Sequence, residues 1–246
     1  MNVDIAVIGG TGLNTIKGLT ITHREMVNTP YGQPSSPLIF GEVCGCTIVF
    51  LARHGSGHTI PPHQVNYRAN LWALKESGVK KIIAVAAVGG MRDDMKPGKI
   101  VFPDQIIDYT WSRDSTYHEG HQDVKHIDFT YPYCEEVRAL LINGAKKAGL
   151  DPTIDGTYGA TQGPRLETAA EIRRMVRDGC DIVGMTGMPE AALARELDLC
   201  YATCAVVANW AAGKQSEVIS MKVIEENLKI GMDKVRKLLE ESLPQL

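Results

Sequence analysis

Two glycine-rich segments carry side chains that could bind a small anion. Residues 8–12 read IGGTG and include Thr11, and residues 52–58 read ARHGSGH and include Arg53 and His54. The first segment lacks the third glycine of a dinucleotide fingerprint and the Gly-Lys-Ser/Thr of a phosphate loop, which leaves backbone N–H groups and one hydroxyl. Arg53 adds a planar fork of donors, and His54 adds a further donor or a proton. We interpret both segments as anion-binding loops. The alternatives are a tight turn at Thr11 and a solvated Arg-His pair.

A third segment, residues 184–190 with the sequence GMTGMPE, follows a strand-like run. Pro189 is well placed to start a helix. Met185 could cover a sugar or ring face, Thr186 could donate to an anion, and Glu190 could cap the start of the helix. Each side chain taken singly also suits a structural role. Their combination with the two anion-binding loops indicates a binding site.

Two other catalytic interpretations fit the residues less well. Three histidines lie between residues 54 and 63, but the glycines and prolines among them argue against a helix, and no Cys or carboxylate nearby completes a ligand set. We therefore expect no metal site. Residues 159–163, GATQG, imitate a nucleophile elbow with Thr161, yet the last histidine of the chain is His126, so a base downstream is missing. A hydrolase of that type is disfavoured.

The elements that must position these loops alternate between strand and helix. Strand-like, β-branched runs occupy residues 5–8, 47–51, 81–88, 99–102, 156–161 and 201–207, and helical spacing is found in residues 64–77, 135–148, 169–178, 189–196 and 216–241. This alternation predicts an α/β fold with a mostly parallel sheet covered on both faces. No linker divides the chain, so we expect a single domain over residues 1–246. The glycine loops follow strands, where open α/β folds bind their ligands.

Composition excludes several classes of protein. The 246 residues include 26 Lys and Arg against 29 Asp and Glu, with a net charge of -3 and no basic block, so nucleic acid is not an expected partner. The apolar runs are far shorter than the roughly 18 residues of a membrane span, and the N-terminus lacks a secretory pattern. We expect a cytoplasmic protein. Six cysteines without a CxxC pair predict free, mostly buried thiols.

The chain resembles the trimeric purine nucleoside phosphorylases, and within them the methylthioadenosine phosphorylase branch. The matching segments are IGGTGL at the start, TPYG at residues 29–32, LARHGSGHTIPPHQVNYRANLWALKESG, AAVGGM, DQIID, GPRLET and GMTGMPEAALARE. They follow the family order over nearly the whole chain. The resemblance implies one α/β domain with a central mixed, mostly parallel sheet flanked by helices. It also implies a homotrimer whose active sites lie at subunit contacts.

The resemblance further implies that inorganic phosphate attacks C1′ of a purine nucleoside and releases the base, with phosphate as co-substrate and no cofactor. The resemblance implies that the bond to the base breaks through an oxocarbenium-like state. The protein must then place an anion below the sugar and stabilise the negative charge on the leaving purine. The residues carried over for phosphate are Thr11, Arg53, His54, Ala87 through its backbone, and Thr186. Met185 lies beside the ribose, and His54 and Asn209 are the catalytic candidates.

The purine-binding residues depart from the methylthioadenosine pattern, which has Asp-x-Asp where this chain has Asn209, Trp210 and Ala211. Ala211 has no carboxylate to accept from a 6-amino group, whereas the Asn209 amide can donate to O6 or N7. Glu167 matches the carboxylate that 6-oxopurine phosphorylases direct at N1–H, and Leu166 stands where many relatives have Phe. The alternative for Glu167 is a carboxylate at the start of a helix.

At the 5′ end of the nucleoside, the segment before the last helix has no His, and Met221 falls near the position of the family's 5′-hydroxyl ligand. An apolar pocket favours a methylthio group. His126 matches a residue that reaches the neighbouring subunit's 5′ pocket; the alternative is a surface loop residue. Together these residues predict phosphorolysis of 5′-methylthioinosine. The alternatives are 5′-methylthioadenosine as substrate, a general 6-oxopurine nucleoside phosphorylase, a non-catalytic nucleoside-binding module, or a hydrolase.

Overall fold

The computed structural model describes residues 3–13, 15–16, 18–120, 124–215 and 219–245. Within these ranges ten strands form one sheet, in which β2-β3-β4-β1-β5-β9-β8-β7 are successive neighbours, β10 also pairs with β5, and β6 pairs with β10. The strands are β1 Ile5–Gly9, β2 Thr20–Glu25, β3 Leu38–Val43, β4 Cys46–Ala52, β5 Lys81–Gly90, β6 Ile100–Val101, β7 Gln105–Asp108, β8 Thr157–Ala160, β9 Ile182–Gly184 and β10 Cys200–Trp210.

The sheet is mixed with a parallel centre, as predicted. Strand β1 pairs in parallel with both β4 and β5, and β10 pairs in parallel with β5. Strands β2 and β3 join antiparallel at one side, and β9 runs antiparallel to β5 before β8 and β7 continue in parallel with it. The carboxyl ends of β1, β4, β5 and β10 therefore meet at one edge, where the glycine loops begin.

Helices cover both faces of the sheet. They are α1 Tyr67–Glu76, α2 Glu135–Lys147, α3 Ala169–Arg177, α4 Gly187–Glu196 and α5 Met221–Ser242. Alternate residues of β1 reach opposite faces: Ala6 and Ile8 pack in the core under α1 and α4, and Ile5 and Val7 pack under α2 and α5. No helix within the described ranges is both long and apolar enough to cross a bilayer.

The last helix buries one apolar face, as its helical spacing predicts. Its buried residues include Ile224, Leu228 and Met232, while Val223 is 48% exposed. The helix begins at Met221, whereas the spacing predicts a start at residue 216; residues 216–218 lie outside the described part of the chain. The apolar face packs against the sheet beside β10.

Three strands are absent from the sequence prediction: β2, β3 and β7. Every residue of β2 is exposed, and its sequence TITHRE has no apolar face to reveal it. Strand β7 has only four residues, which are half-buried or exposed. Strands β2 and β7 lie at the two ends of the sheet and bury little surface, so the alternation that identifies central strands is weak in them. Strand β3 lies between β2 and β4 and is mostly buried, so an edge position does not account for it.

The prediction of free, mostly buried thiols is wrong for most of the cysteines. Cys134 and Cys200 form a disulfide with a Cα–Cα distance of 5.1 Å, while Cys44 is exposed and Cys46 is half-buried. The fold brings the pair together because Cys134 precedes α2 and its backbone N–H donates to the carbonyl of Tyr201 at 2.8 Å. Among the described residues, one cluster of His, Cys or carboxylate side chains is compact enough to hold a metal ion, and it consists of Cys134, Cys200 and Glu136. Its two sulfurs are bonded to each other in the disulfide. That no metal is required stays a prediction.

Candidate active site

A cavity of about 410 Å³ lies at the edge of the sheet where the glycine loops meet. Its walls come from the loops after β1, β4 and β9 and from the ends of β5 and β10. It brings together eleven of the predicted site residues: Thr11, Arg53, His54, Ala87, Leu166, Glu167, Met185, Thr186, Asn209, Ala211 and Met221. Of the sequence-predicted set, His126 is missing from the cavity.

The loop after β1 is both a tight turn and a wall of the cavity, so the two interpretations of Thr11 are compatible. The N–H of Leu13 donates to the carbonyl of Gly10 at 3.0 Å, which closes the turn around Thr11. A Cβ at residue 10 would lie 2.5 Å from the carbonyl oxygen of Val85 and 2.9 Å from Arg53 Nη1. Only glycine fits this approach.

Arg53 is not a solvated loop residue, because it is 1% exposed and forms a buried ion pair with the equally buried Glu190. Its Nε and Nη2 donate to the two carboxylate oxygens at 2.6 and 2.7 Å, and its Nη1 donates to the carbonyl of Val85 at 2.9 Å. Burial lowers the pKa of Arg53, but the Glu190 carboxylate outweighs that effect and raises it, so the guanidinium stays charged. Two of its N–H groups are left for an anion.

Glu190 therefore does not cap α4, which was the alternative that the sequence suggested for it. Besides Arg53, its carboxylate accepts from the hydroxyl of Tyr201 at 2.8 Å. The helix contains extended backbone at Met188, with φ -121° and ψ 141°, so its regular part begins at Pro189, as predicted. Thr186 stands just before it, buried, with no capping bond from its side chain to the helix. Thr186 and Met185 both line the cavity.

His54 is oriented by the backbone of its own loop. Its Nδ1 lies 2.8 Å from the carbonyl oxygen of Ile60, and because a carbonyl can only accept, Nδ1 carries the hydrogen. Burial, assisted by the positive charge of Arg53, lowers the pKa of His54 to about 4. The ring is therefore neutral near pH 7, and its Nε2 is an acceptor rather than the donor that the sequence suggested.

Asn209 owes its position to a bulge in β10. The pairing with β5 shifts between Val207 and Asn209, and the carbonyl of Ala208 accepts from the side-chain amide of Asn227 at 2.9 Å. Asn209 Nδ2 donates to the carbonyl of Trp210 at 2.7 Å, which leaves its second N–H and Oδ1 for a ligand. Ala211 is buried and contributes only a methyl group to the cavity.

Glu167 is not the carboxylate at the start of α3. That helix is capped by Thr168 together with Glu171, in a reciprocal pair of hydrogen bonds. Glu167 instead faces the cavity, and its Oε1 accepts from the hydroxyl of Thr161 at 2.7 Å. Leu166, 41% exposed, lies beside it on the same wall. A half-buried carboxylate with one oxygen already bound is suited to accept a second hydrogen bond through the other.

One wall of the cavity is apolar. Met221 is 64% exposed and forms this wall with Ile219, Ile224 and Leu228. No group in this wall offers a hydrogen bond to a hydroxyl among the described side chains. His126 is exposed on a loop and does not line the cavity, and its role toward a neighbouring subunit stays a prediction.

The sequence analysis missed two sets of contacts that support the cavity. The pairing of Glu190 with Arg53 joins residues 137 apart and has no local signal. Arg113, in a loop without a predicted element, donates to backbone carbonyls of the two segments that carry Thr186 and Glu167. A half-buried arginine in a loop looks the same in sequence as a solvated one.

A family model described as the phosphorylase superfamily matches residues 4–244. The chain belongs to this superfamily. A protein of Pseudomonas syringae pv. tomato named probable S-methyl-5'-thioinosine phosphorylase is 53% identical over 235 residues, covering 95% of this chain and 96% of its own. A 6-oxopurine nucleoside phosphorylase of Pyrococcus furiosus is 47% identical over 246 residues, covering 98% of this chain and 92% of its own.

Solved structures of the superfamily share the fold over almost the entire chain. A methylthioadenosine phosphorylase from Schistosoma mansoni in complex with adenine superposes with a TM-score of 0.94 at 34% identity, covering 99% of this chain and 91% of the other. The predicted α/β fold and the family resemblance are thereby confirmed.

Proposed function

We propose that the protein catalyses phosphorolysis of 5′-methylthioinosine to hypoxanthine and 5-methylthioribose 1-phosphate, with inorganic phosphate as co-substrate and no cofactor. One observation carries the choice of base. Glu167 offers a free carboxylate oxygen to the cavity, while the side chain of Ala211 offers no acceptor. A 6-oxopurine presents a donor at N1 that this carboxylate can pair. A 6-amino group would need an acceptor that residue 211 does not provide, and an unpaired buried polar group costs about 1–3 kcal/mol.

Phosphate binding is assigned to one end of the cavity. The donors are Thr11, the two free N–H groups of Arg53, the backbone N–H of Ala87, and Thr186. Neutral His54 accepts through Nε2 from the hydroxyl of hydrogen phosphate, which orients one phosphate oxygen toward C1′. This arrangement supplies the nucleophile in place before the glycosidic bond breaks.

In the proposed reaction a phosphate oxygen forms the new bond to C1′ as the C1′–N9 bond breaks. The electron pair of that bond moves to the purine, and the phosphate hydroxyl supplies the proton that the base finally carries. Asn209 donates its remaining N–H to N7 or O6 and so stabilises the negative charge on the leaving base. Met185 lies beside the ribose. Because the bulge at Ala208 sets the direction of Asn209, the catalytic amide depends on it.

The apolar wall around Met221 supports a methylthio group rather than a hydroxyl at the 5′ carbon. A thioether packs against Ile219 and Leu228 without needing a hydrogen bond, whereas a buried hydroxyl would be unpaired. We further propose a homotrimer, in which His126 of one subunit reaches the 5′ pocket of its neighbour, and a cytoplasmic location. The exposure of Met221 in the single chain supports an additional subunit covering this end of the cavity.

The test compares base release from methylthioinosine, methylthioadenosine and inosine, each with and without phosphate. We expect phosphate-dependent release with methylthioinosine preferred. Preference for methylthioadenosine would contradict the assignment of Glu167 and Ala211, and equal use of inosine would contradict the apolar 5′ pocket. Base release that does not need phosphate would indicate a hydrolase, and binding without release would indicate a non-catalytic module.

A general 6-oxopurine nucleoside phosphorylase is the second candidate. The same Glu167 carboxylate supports it, as does the similarity to the enzyme of that name from Pyrococcus furiosus. The inosine arm of the comparison separates it from the first proposal.

A further inference from the structure

Arg113 lies outside the lining of the active-site cavity, yet it contacts the two segments that supply the cavity's polar side chains. Its Nη1 donates to the carbonyls of Met185 at 2.8 Å and of Met188 at 2.6 Å. These two carbonyls flank Thr186 in the chain. One guanidinium nitrogen therefore holds the backbone on both sides of the proposed phosphate donor.

The same guanidinium also holds residues 161 and 162, which belong to the segment that carries Glu167. Its Nη2 donates to the carbonyls of Gln162 at 2.7 Å and of Thr161 at 3.2 Å, and its Nε donates to Gln162 Oε1 at 3.1 Å. Thr161 in turn donates to Glu167, the proposed acceptor for the purine. The carboxylate of Glu167 is thus linked to Arg113 through Thr161.

The chemistry of this contact requires a guanidinium. Arg113 has no carboxylate within salt-bridge distance among the described residues, and its group lies over the ring of the buried Tyr67, 5.6 Å from the ring centroid. Its donors are directed to backbone and amide oxygens and, at 3.4 Å, to the hydroxyl oxygen of Tyr67. A planar fork holds two segments at a fixed separation, whereas a lysine ammonium is a point charge on a flexible stem.

We propose that Arg113 is a positioning residue that sets the separation between the phosphate-binding segment at Thr186 and the purine-binding segment at Glu167. The proposal rests on the proposed function of those segments. Removing the guanidinium leaves both segments without a common support, so phosphate and nucleoside are both misplaced. A misplacement of about 1 Å costs on the order of 100-fold in rate.

The test measures kcat and the KM values for phosphate and nucleoside in Arg113→Ala and Arg113→Lys. Arg236→Ala is the matched control, since Arg236 pairs with Asp233 on the surface of α5. We expect kcat/KM to fall about 100-fold in both Arg113 variants, with KM raised for both substrates, and to stay within about twofold in the control. Guanidinium ion at millimolar concentration should restore the Ala variant, where space is open, but not the Lys variant.

A purely structural role predicts another pattern: a smaller active fraction with lower kcat, unchanged KM values and no response to guanidinium. That pattern would overturn the proposal, as would wild-type kinetics in Arg113→Ala or an effect on one substrate only. If Arg113→Ala does not fold, Arg113→Lys decides, and wild-type kcat/KM in it would overturn the proposal. If the wild-type protein itself releases no base, the proposed function fails. In that case the positioning role is tested by binding alone. The measurement is how far phosphate and hypoxanthine each raise the unfolding temperature of the wild type and of Arg113→Lys.

Discussion

Replacing Glu167 by Gln should shift the preference of the enzyme from 6-oxopurine toward 6-aminopurine substrates. The hydroxyl of Thr161 donates to Glu167 Oε1 at 2.7 Å, so the side-chain oxygen that remains for a base is Oε2. In the Gln variant the amide orientation that keeps the shorter of the two contacts of this hydroxyl, 2.7 Å to residue 167 against 3.2 Å to the carbonyl of Gly184, places Nε2 where Oε2 was. A donor then faces N1 of the purine. It opposes the N1–H of a 6-oxopurine and pairs with the unprotonated N1 of a 6-aminopurine.

The size of the effect follows from the bonds exchanged. A hydrogen bond to a charged group contributes about 1.5–3 kcal/mol, so methylthioinosine should lose about 10- to 150-fold in kcat/KM. A neutral bond gained by methylthioadenosine contributes about 0.5–1.5 kcal/mol. The ratio of the two kcat/KM values should therefore change by at least about 2 kcal/mol, or about 30-fold.

The assay is phosphate-dependent release of hypoxanthine and of adenine from the two methylthionucleosides, followed for the wild type, Glu167→Gln and Glu171→Gln. Glu171 is the matched control because it takes part in the cap of α3 from the first turn of that helix, four residues after Glu167, and does not line the cavity. A Glu167→Gln enzyme that keeps the wild-type ratio within about threefold would refute the argument. Equal loss on both substrates would show that the carboxylate shapes the loop without contacting N1.

Two further predictions concern stability. Burial lowers the pKa of His54 to about 4 in the folded chain, so the stability that neutral His54 contributes is complete above the unfolded pKa near 6.5 and is lost as the pH falls through 4. Urea unfolding should show that the free energy of unfolding falls by about 3 kcal/mol over this pH window in the wild type but not in His54→Asn. An equal fall in the variant would assign the pH dependence to other groups. The Cys134–Cys200 disulfide closes a separation of 66 residues, so Cys134→Ser should lower the free energy of unfolding by about 4 kcal/mol at unchanged kcat, and unfolding that is insensitive to the substitution would contradict this.

The sequence predicts the parts of the site that are local. Arg53 and His54 stand together after a strand of apolar residues, and Thr186 precedes Pro189, so a few neighbouring residues already indicate loops at the end of a sheet. The buried partner of Arg53 is not local: Glu190 lies 137 residues away and has a plausible role in its own helix. Its pairing depends on how α4 packs over the sheet, which spacing does not reveal.

The same limit explains the other differences. The disulfide joins cysteines that no motif connects, and β2 exposes every residue, so neither leaves a periodic pattern. The protonation of His54 depends on the Ile60 carbonyl and on burial, which residue types do not specify. Prediction from sequence named side chains that line one cavity but could not assign the partners that set their charge and direction.

The buried pair of Arg53 and Glu190 also bears on the end of the catalytic cycle. Phosphate enters the proposed reaction as an anion, and the sugar phosphate leaves as one, so a site with an uncompensated positive charge would retain its product. The carboxylate of Glu190 balances the guanidinium 2.6 Å away, and His54 adds no charge near pH 7. In the proposed reaction the anion is therefore held by the geometry of hydrogen bonds in surroundings with little net charge. A site built this way can select phosphate by shape and still let a charged product depart.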